Sequence, residues 1–457
     1  MNKNDRLTLT ITAMSSEGLA IAKDENNTPV FISGGAIGDV VDVIIVKVLK
    51  NYAFGKIVNI VTESKDRISP DCNVFSQCGG CCYRHINYSA ECDIKHKRVF
   101  DAIQRIGKID APVLPIIASD DTNVRNCYRN KGQYPVGVNA DKKVICGFYA
   151  LHSHRIVACT NCKLQPEIFA PIVEEIIKFI TENRIPVYDE AKHSGIVRHI
   201  YLRKTVNDDI MVCLVINADR LPKEMEKSFV ERLREISDKI KTITLNINKK
   251  QTGVILGAKC RNLFGDGYLI DDLLSIKVKI SPQSFYQVNH DMTEKLYKIA
   301  AEYANPDNKT ILDLYCGTGT IGLTMADRAK RIIGVEIVES AVKDAVKNAE
   351  MNNIDNAEFI CDNASNAAAM LAKKGISPDV VILDPPRKGA DNELIETIAN
   401  KFSPESVVYV SCDPATLARD LAKFETLGYK TEKVQPVDMF PGTSHVESVA
   451  LMIKADK

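Results

Sequence analysis

The chain has 457 residues, 45% hydrophobic and 26% charged, with 59 lysines and arginines balanced by 59 aspartates and glutamates. This composition excludes a disordered or fibrous chain, and the zero net charge excludes a histone-like binder that coats nucleic acid through a global field. The opening stretch MNKNDRLTLT lacks the apolar core of a signal peptide, and no run reaches the roughly 18 uncharged apolar residues of a membrane span, so a cytoplasmic protein without a membrane partner is expected.

Residues 1–63 alternate apolar and polar positions in RLTLTITAM, GLAIAK, TPVFI and GDVVDVIIVKVLKNYAFGKIVNIV. Short strands broken by Gly, Asn and Pro at this spacing predict a small closed, OB-like β-barrel. Residues 64–275 read as a mixed α/β region that opens on a cysteine-rich insert and carries the helical patterns PEIFAPIVEEIIKFITEN and PKEMEKSFVERLREISDKI. From 276 to 457 the strand-like runs ILDLYCG, RIIGVEIV, DVVILDPP and SVVYVSC alternate with amphipathic helices, the pattern of a doubly wound, Rossmann-like parallel sheet. The expected fold class is multidomain α/β.

Fourteen cysteines in a reducing compartment point to metal binding or catalysis before disulfides. The insert DCNVFSQCGGCC brings Cys72, Cys78 and Cys81 together in a loop kept open by Gly79 and Gly80, with Cys82 beside them. A fourth soft ligand must come from elsewhere, and CTNC offers Cys159 and Cys162. Zinc sites usually show two separate C-x2-C pairs, whereas a long first gap and a distant fourth cysteine suit an iron–sulfur cluster; spacing alone leaves both metals open. Cys92, Cys127, Cys146, Cys213, Cys260 and Cys361 read as buried small apolar residues.

The run ILDLYCGTGTIGL sets Gly317, Gly319 and Gly322 in G-x-G-x-x-G spacing directly after a strand, and Glu336 ends the next strand. Glycines permit close backbone approach and the carboxylate can accept ribose hydroxyls, which fits a dinucleotide and S-adenosylmethionine equally. Cys316 within the loop reads as a packing residue. In VVILDPPRKG the carboxylate of Asp384 is followed by Pro385 and Pro386, which have no N–H to extend a ladder. Open α/β sheets bind ligands at the carboxyl ends of their strands, so Asp313, Glu336, Asp384 and the cysteine of VYVSCDPATLARD, Cys412, should crowd one edge. The basic stretches KHKRVFDAIQRIGK, VRNCYRNKGQ and VRHIYLRKT read, by themselves, as solvated faces.

Taken in order, these motifs resemble the RNA uracil-C5 methyltransferases, which make 5-methyluridine with S-adenosylmethionine. AMSSEGLAIAKDENNTPVFISGGAIGDVVDVIIVKVLKNYAFGKIV resembles the family's N-terminal TRAM barrel, CGGCCYRHINYSAECDIKHKRVFDAIQRIG its iron–sulfur segment, and SPQSFYQVN, DLYCGTGTIGL, VILDPPRKG, SCDPATLARD and DMFPGTSHVESVALM its catalytic domain. The resemblance implies that Cys412 adds to uracil C6 and that Glu447, in HVE, removes the C5 proton. It assigns Gln287, Tyr315, Glu336 and Asp384 to S-adenosylmethionine, with Phe285 as either a contact or a core aromatic. It also assigns Cys72, Cys78, Cys81 and Cys162 to a [4Fe-4S] cluster, leaving Cys159 spare. The implied partner is RNA, with 23S ribosomal RNA as the leading substrate and the T-loop uridine of tRNA as the alternative. Arg125, Arg129, Lys131, Arg198 and Arg203 are candidates for gripping it, and a monomer is expected. Two departures concern loop detail: Gly442 stands where many members carry histidine, and the residue before the fourth cysteine is not acidic. Outside the family, an RNA-binding protein with a vestigial catalytic domain and a dehydrogenase are the competing readings.

Overall fold

The structure is a computed structural model that describes residues 1–119 and 124–455. Strands β1 (Arg6–Met14), β2 (Ala20–Lys23), β3 (Pro29–Ile32), β4 (Val40–Val48) and β5 (Ala53–Thr62) close into a barrel in the order β1-β2-β3-β5-β4. The period-2 pattern accounts for it: Leu9, Ile11, Val30, Ile32, Val41, Val43 and Ile45 all turn inward to one core while their neighbours face out. At the exit, buried Asp39 accepts the N–H groups of Ala36 and Ser64 at 2.7 and 2.8 Å and pairs with Arg67, which fixes the course of the chain leaving the barrel. Beyond the cysteine-bearing loop, α1 (Tyr88–Asp101) begins at Asn87, whose side chain accepts the Ala90 N–H at 2.8 Å.

The middle sheet contains β6 (Lys131–Val138), β7 (Val144–Tyr149), β8 (Ile156–Ala158), β9 (Val197–Lys204), β10 (Ile210–Ile216), β11 (Ile240–Ile247) and β12 (Lys259–Phe264), in the order β12-β11-β10-β9-β6-β7-β8. Helices α2 (Phe169–Glu182) and α3 (Lys223–Ile236) share a core with it. On α2, Phe169, Ile172, Val173, Ile176 and Ile180 recur at helical spacing, and Phe179 meets Phe229 of α3 with ring centroids 5.0 Å apart.

The hairpin β13 (Leu269–Leu273) and β14 (Ile276–Ile280) packs into the same core as α4 (His290–Ala304), so a division at residue 276 would cut through paired strands. The C-terminal sheet is built from β15 (Thr310–Leu314), β16 (Arg331–Glu336), β17 (Ala357–Cys361), β18 (Val380–Leu383), β19 (Ser406–Ser411), β20 (Tyr429–Val437) and β21 (Glu447–Lys454). Their order is β17-β16-β15-β18-β19-β21-β20, with the first five parallel and β21 antiparallel to both neighbours. Helices α5 (Thr320–Leu323), α6 (Glu339–Met351), α7 (Ala364–Lys373), α8 (Asn392–Thr397) and α9 (Pro414–Thr426) connect them. Leu312 and Leu314 face one apolar core and Ile311 the other, as a parallel sheet covered on both sides requires. The strand order reverses between β15 and β18, where such sheets open a ligand crevice.

Residues 88–118 follow the barrel in sequence yet dock on this C-terminal body. The chain after α1 packs on α9, and Val113 and Ile117 bridge to Val434 and Val437 of β20. Among the described residues no helix is long and apolar enough to cross a membrane.

Candidate active site

The register of the parallel strands aligns the sequence-predicted acids. Leu314 pairs with both Val335 and Leu383, so the next residues, Tyr315, Glu336 and Asp384, stand side by side at the strand ends. With Gln287 and Phe285 they line one cleft of about 1190 Å³. Phe285 is 65% exposed there, a cleft residue and no part of the core. Glu336 accepts the N–H groups of Gly317 at 3.2 Å and Val338 at 2.8 Å, holding the glycine loop to the strand end. Gly317 and Gly319 adopt φ of +56° and +79°, and a Cβ at Gly317 would meet nothing within 4 Å, so its backbone is open to a ligand. Tyr315 sits at φ +65°, which costs a non-glycine residue about 1–2 kcal/mol and is held by the surrounding turn. Asp313 lies beneath the loop, accepting the Gly322 N–H at 3.0 Å, and does not line the cleft. Cys316 is buried beneath the loop, as a packing residue should be.

Cys412 and Glu447 are brought together by the antiparallel ladder. Ser406 through Ser411 pair with Ile453 through Ser448, so Cys412 and Glu447 flank the last pair of the ladder, and both line the large cleft. Cys412 also directly precedes the cap of α9, Asp413, which accepts the Thr416 N–H at 2.9 Å, and Pro414 starts the first turn. Burial pushes the Cys412 thiol up to about 11; Glu447 adds to this and Arg387 opposes it. Burial, then Asp384, pushes Glu447 up to about 8, again against Arg387, and burial alone raises Asp384 to about 7.

A second cleft, of about 770 Å³, runs from barrel residues Gly18, Ser33 and Gly34 past the cysteine-bearing loop to Cys412. Cys412, Arg387 and His445 line both clefts, so the thiol stands where the two meet. Arg387 and His445 lie inside DPPRKG and HVE, but no sequence rule assigned them a task. Burial, then the positive charge of Arg387, pushes His445 down to about 4, so its ring is neutral near pH 7.

The predicted metal ligands Cys72, Cys78, Cys81 and Cys162 line one small cavity of about 250 Å³, together with Cys159. Cys82 points elsewhere, into the second cleft. Among the described residues no group of three or more donors stands at metal-binding distance, so the cavity gathers the thiols without closing them into a site. The remaining cysteines divide. Cys146 and Cys213 are buried as expected, whereas Cys127, Cys260 and Cys361 are exposed and Cys92 is half-buried. The reason is position: Cys127 lies in a loop at φ +55°, and Cys260 and Cys361 lie on the edge strands β12 and β17.

The basic candidates need a similar correction. Arg198, 3% exposed, donates to the carbonyls of Asn248, Lys250 and Thr252 and pairs with Glu190. Arg203, also 3% exposed, donates to Tyr201 and to the Ser284 carbonyl, and Arg125 donates to the Ile86 carbonyl and pairs with Glu91. These three staple the protein to itself. Arg129 lines the large cleft and the cysteine cavity, and Lys131 faces the latter, its ammonium pushed down to about 8 by burial and the nearby guanidinium groups of Arg203 and Arg129.

Residues 163–455 match the family described as tRNA (Uracil-5-)-methyltransferase, and residues 2–58 match the TRAM domain. RNA methyltransferases of Clostridium tetani and Halalkalibacterium halodurans are each 42% identical to this chain over 99% of its length and 97% and 98% of theirs. The crystal structure of the Pyrococcus abyssi tRNA (uracil-54, C5)-methyltransferase in complex with S-adenosyl-L-homocysteine superposes with a TM-score of 0.78 at 26% identity, covering 98% of this chain and 100% of that one. A barrel joined to a doubly wound sheet, with a cysteine and a glutamate in the cleft at its ligand edge, therefore has a family to go with it: the chain belongs to the RNA uracil-C5 methyltransferases.

Proposed function

We propose that the protein methylates C5 of a uridine in RNA, using S-adenosylmethionine and a covalent adduct between Cys412 and uracil C6. The observation that carries this reading is that the β19–β21 ladder brings Cys412 and Glu447 into the large cleft, with Cys412 also lining the second. The larger cleft fits the cofactor: an open glycine backbone lies between Tyr315 and Glu336, with Asp384 and Gln287 on its walls. S-adenosylmethionine bound there supplies an electrophilic methyl group. Uracil C5 is a poor nucleophile until the Cys412 thiolate bonds to C6 and moves the C5–C6 π electrons toward O4. Once C5 carries methyl and hydrogen, Glu447 takes the proton, the C5–C6 double bond returns, and the C6–S bond breaks to release the thiolate. The second cleft gives an extruded base a way to the thiol from the barrel side, where Arg387 supplies positive charge.

For the RNA itself, the pairing of the barrel with a cysteine-lined cavity supports a uridine of 23S ribosomal RNA. The T-loop uridine of tRNA is the second reading, favoured by the name of the matching family and by the Pyrococcus tRNA enzyme. Methyl transfer from labelled S-adenosylmethionine to 23S rRNA and tRNA lacking 5-methyluridine, followed by mapping of the labelled base, decides between them. Label in tRNA alone would move the target, and label in neither RNA would overturn the proposed activity.

Soft thiol donors suit a [4Fe-4S] cluster, and Cys72, Cys78, Cys81 and Cys162, which share the cavity though they are not placed to hold a single ion, would be its ligands. The methyl transfer above is polar and moves no electron to it, so its contribution is to structure or to shaping RNA binding. Cys162→Ala is expected to lose iron and acid-labile sulfide while Cys159→Ala keeps both, measured on anaerobically purified protein. Iron lost only from Cys159→Ala would exchange the two assignments.

A further inference from the structure

The segment Asp438–Ser444, which leads into Glu447, is held almost residue by residue from outside its own sheet. Lys95 of α1, 0% exposed, donates to Asp438 Oδ1 at 2.6 Å, to the Phe440 carbonyl at 3.1 Å and to Glu91 Oε1 at 2.7 Å. The same Glu91 oxygen accepts the Gly442 N–H at 2.6 Å, and Tyr88 donates its hydroxyl to Asp438 Oδ2 at 2.8 Å. Arg98, one turn on, donates to the Ser444 carbonyl at 2.7 Å. From the cysteine-bearing loop, the N–H groups of Cys82 and Tyr83 donate to the Gly442 carbonyl at 3.0 and 3.1 Å. Gly442 can meet partners on both sides because it sits at φ +82°, where a side-chain-bearing residue such as histidine would be strained.

Stability alone is a poor account of this network. Ions taken out of water recover little beyond their desolvation cost, and well-packed apolar residues would fill the space as well or better. What apolar packing does not supply is direction, and Lys95, Tyr88, Arg98 and the Cys82 and Tyr83 amides all donate to oxygens of one segment, while Glu91 accepts from both Lys95 and Gly442. We propose that Lys95, with Tyr88 and Glu91, is a positioning group that sets the Asp438–Ser444 segment and through it Glu447, so that α1 and the cysteine-bearing loop serve deprotonation at C5. This rests on the role given to Glu447 above. Cys412 hangs from β19 on the other side of the pair and is not held by these bonds, so adduct formation and adduct release should separate.

The test uses the full chain carrying Tyr88→Phe, which removes one hydroxyl and keeps the ring, and Lys95→Met. Hydrogen exchange at the amides of residues 438–447 should accelerate in both, with exchange in β15 and β18 unchanged. In single-turnover reactions with RNA, the protein–RNA adduct should form at the normal rate and persist, its release slowed roughly tenfold in Tyr88→Phe and more in Lys95→Met, with KM for RNA unchanged. If Lys95→Met does not fold, Tyr88→Phe decides. Unchanged exchange and a normal adduct lifetime in folded Tyr88→Phe would overturn the proposal, as would equal losses of adduct formation and release. Should the unsubstituted chain form no adduct, the reaction assigned to the site falls, while the exchange measurement still decides whether the segment is positioned from α1.

Discussion

A Cys412→Ser chain should lose methyl transfer by about 10⁴-fold or more, because a serine hydroxyl cannot supply the anion that adds to C6. The substitution keeps the size and the place at the end of β19, so S-adenosylmethionine affinity should hold while the gel-shifted protein–RNA adduct disappears. Transfer at the unsubstituted rate would remove Cys412 from the mechanism. The electrostatics around the thiol explain why its partner matters. Both Cys412 and Glu447 resist ionisation in the free protein, chiefly through burial, and a negative charge on Glu447 further disfavours the thiolate. Near pH 7 Glu447 is mostly protonated, which leaves Arg387 as the charge that favours the thiolate. In the proposed reaction, sulfur bonded to C6 no longer carries a charge, and Glu447 can then release its proton to solvent and, as a carboxylate, accept the C5 proton.

Much of the site was legible in the sequence because strand-end motifs sit where a doubly wound sheet must bind its ligand. DLYCG, Glu336 and DPP each follow an apolar run, and the sheet order brings them to one edge without further information. The Cys412–Glu447 association was legible only through resemblance, since 34 residues of helix, strand and turn separate two positions that flank the end of the β19–β21 ladder. Charge was the least legible property. Arg125, Arg198 and Arg203 look like a nucleic-acid grip in a linear sequence, yet all three are spent on internal carbonyls and carboxylates. Lys95, in a run that reads as a solvated basic face, is buried between Glu91 and Asp438. Its i,i+4 spacing from Glu91 was visible, but Asp438 is more than 340 positions away and no local pattern announces it. The thiol pair behaves the same way: which of Cys159 and Cys162 faces the other thiols depends on how the chain folds back, and both line the cavity.

Glu447→Gln should trap the reaction halfway. The amide cannot take the C5 proton, so addition and methylation proceed, elimination stalls, and methylated RNA stays crosslinked to protein through denaturing electrophoresis. Turnover should fall by about 10²–10⁴-fold, the range for removing a positioned general base. Loss of turnover without any adduct would contradict the assignment. The same variant reports on pH. Folding raises the Glu447 carboxyl from 4.5 to about 8, so the folded chain binds its proton more tightly than the unfolded one. The resulting contribution to stability is fully present below pH 4.5 and is lost as pH rises through about 8. A glutamine, neutral at every pH, loses nothing over that window. Denaturant titrations should therefore find Glu447→Gln gaining on the unsubstituted chain from pH 5 to pH 9, with most of the gain made before the carboxylate forms. The catalytic profile runs the opposite way: release of the adduct by the unsubstituted enzyme should accelerate as pH rises toward about 8, where Glu447 becomes the base. A site that favours its proton for stability and needs it gone for turnover loses stability as its elimination rate rises across one titration, and a profile in which both moved in the same direction would assign the deprotonation to another group.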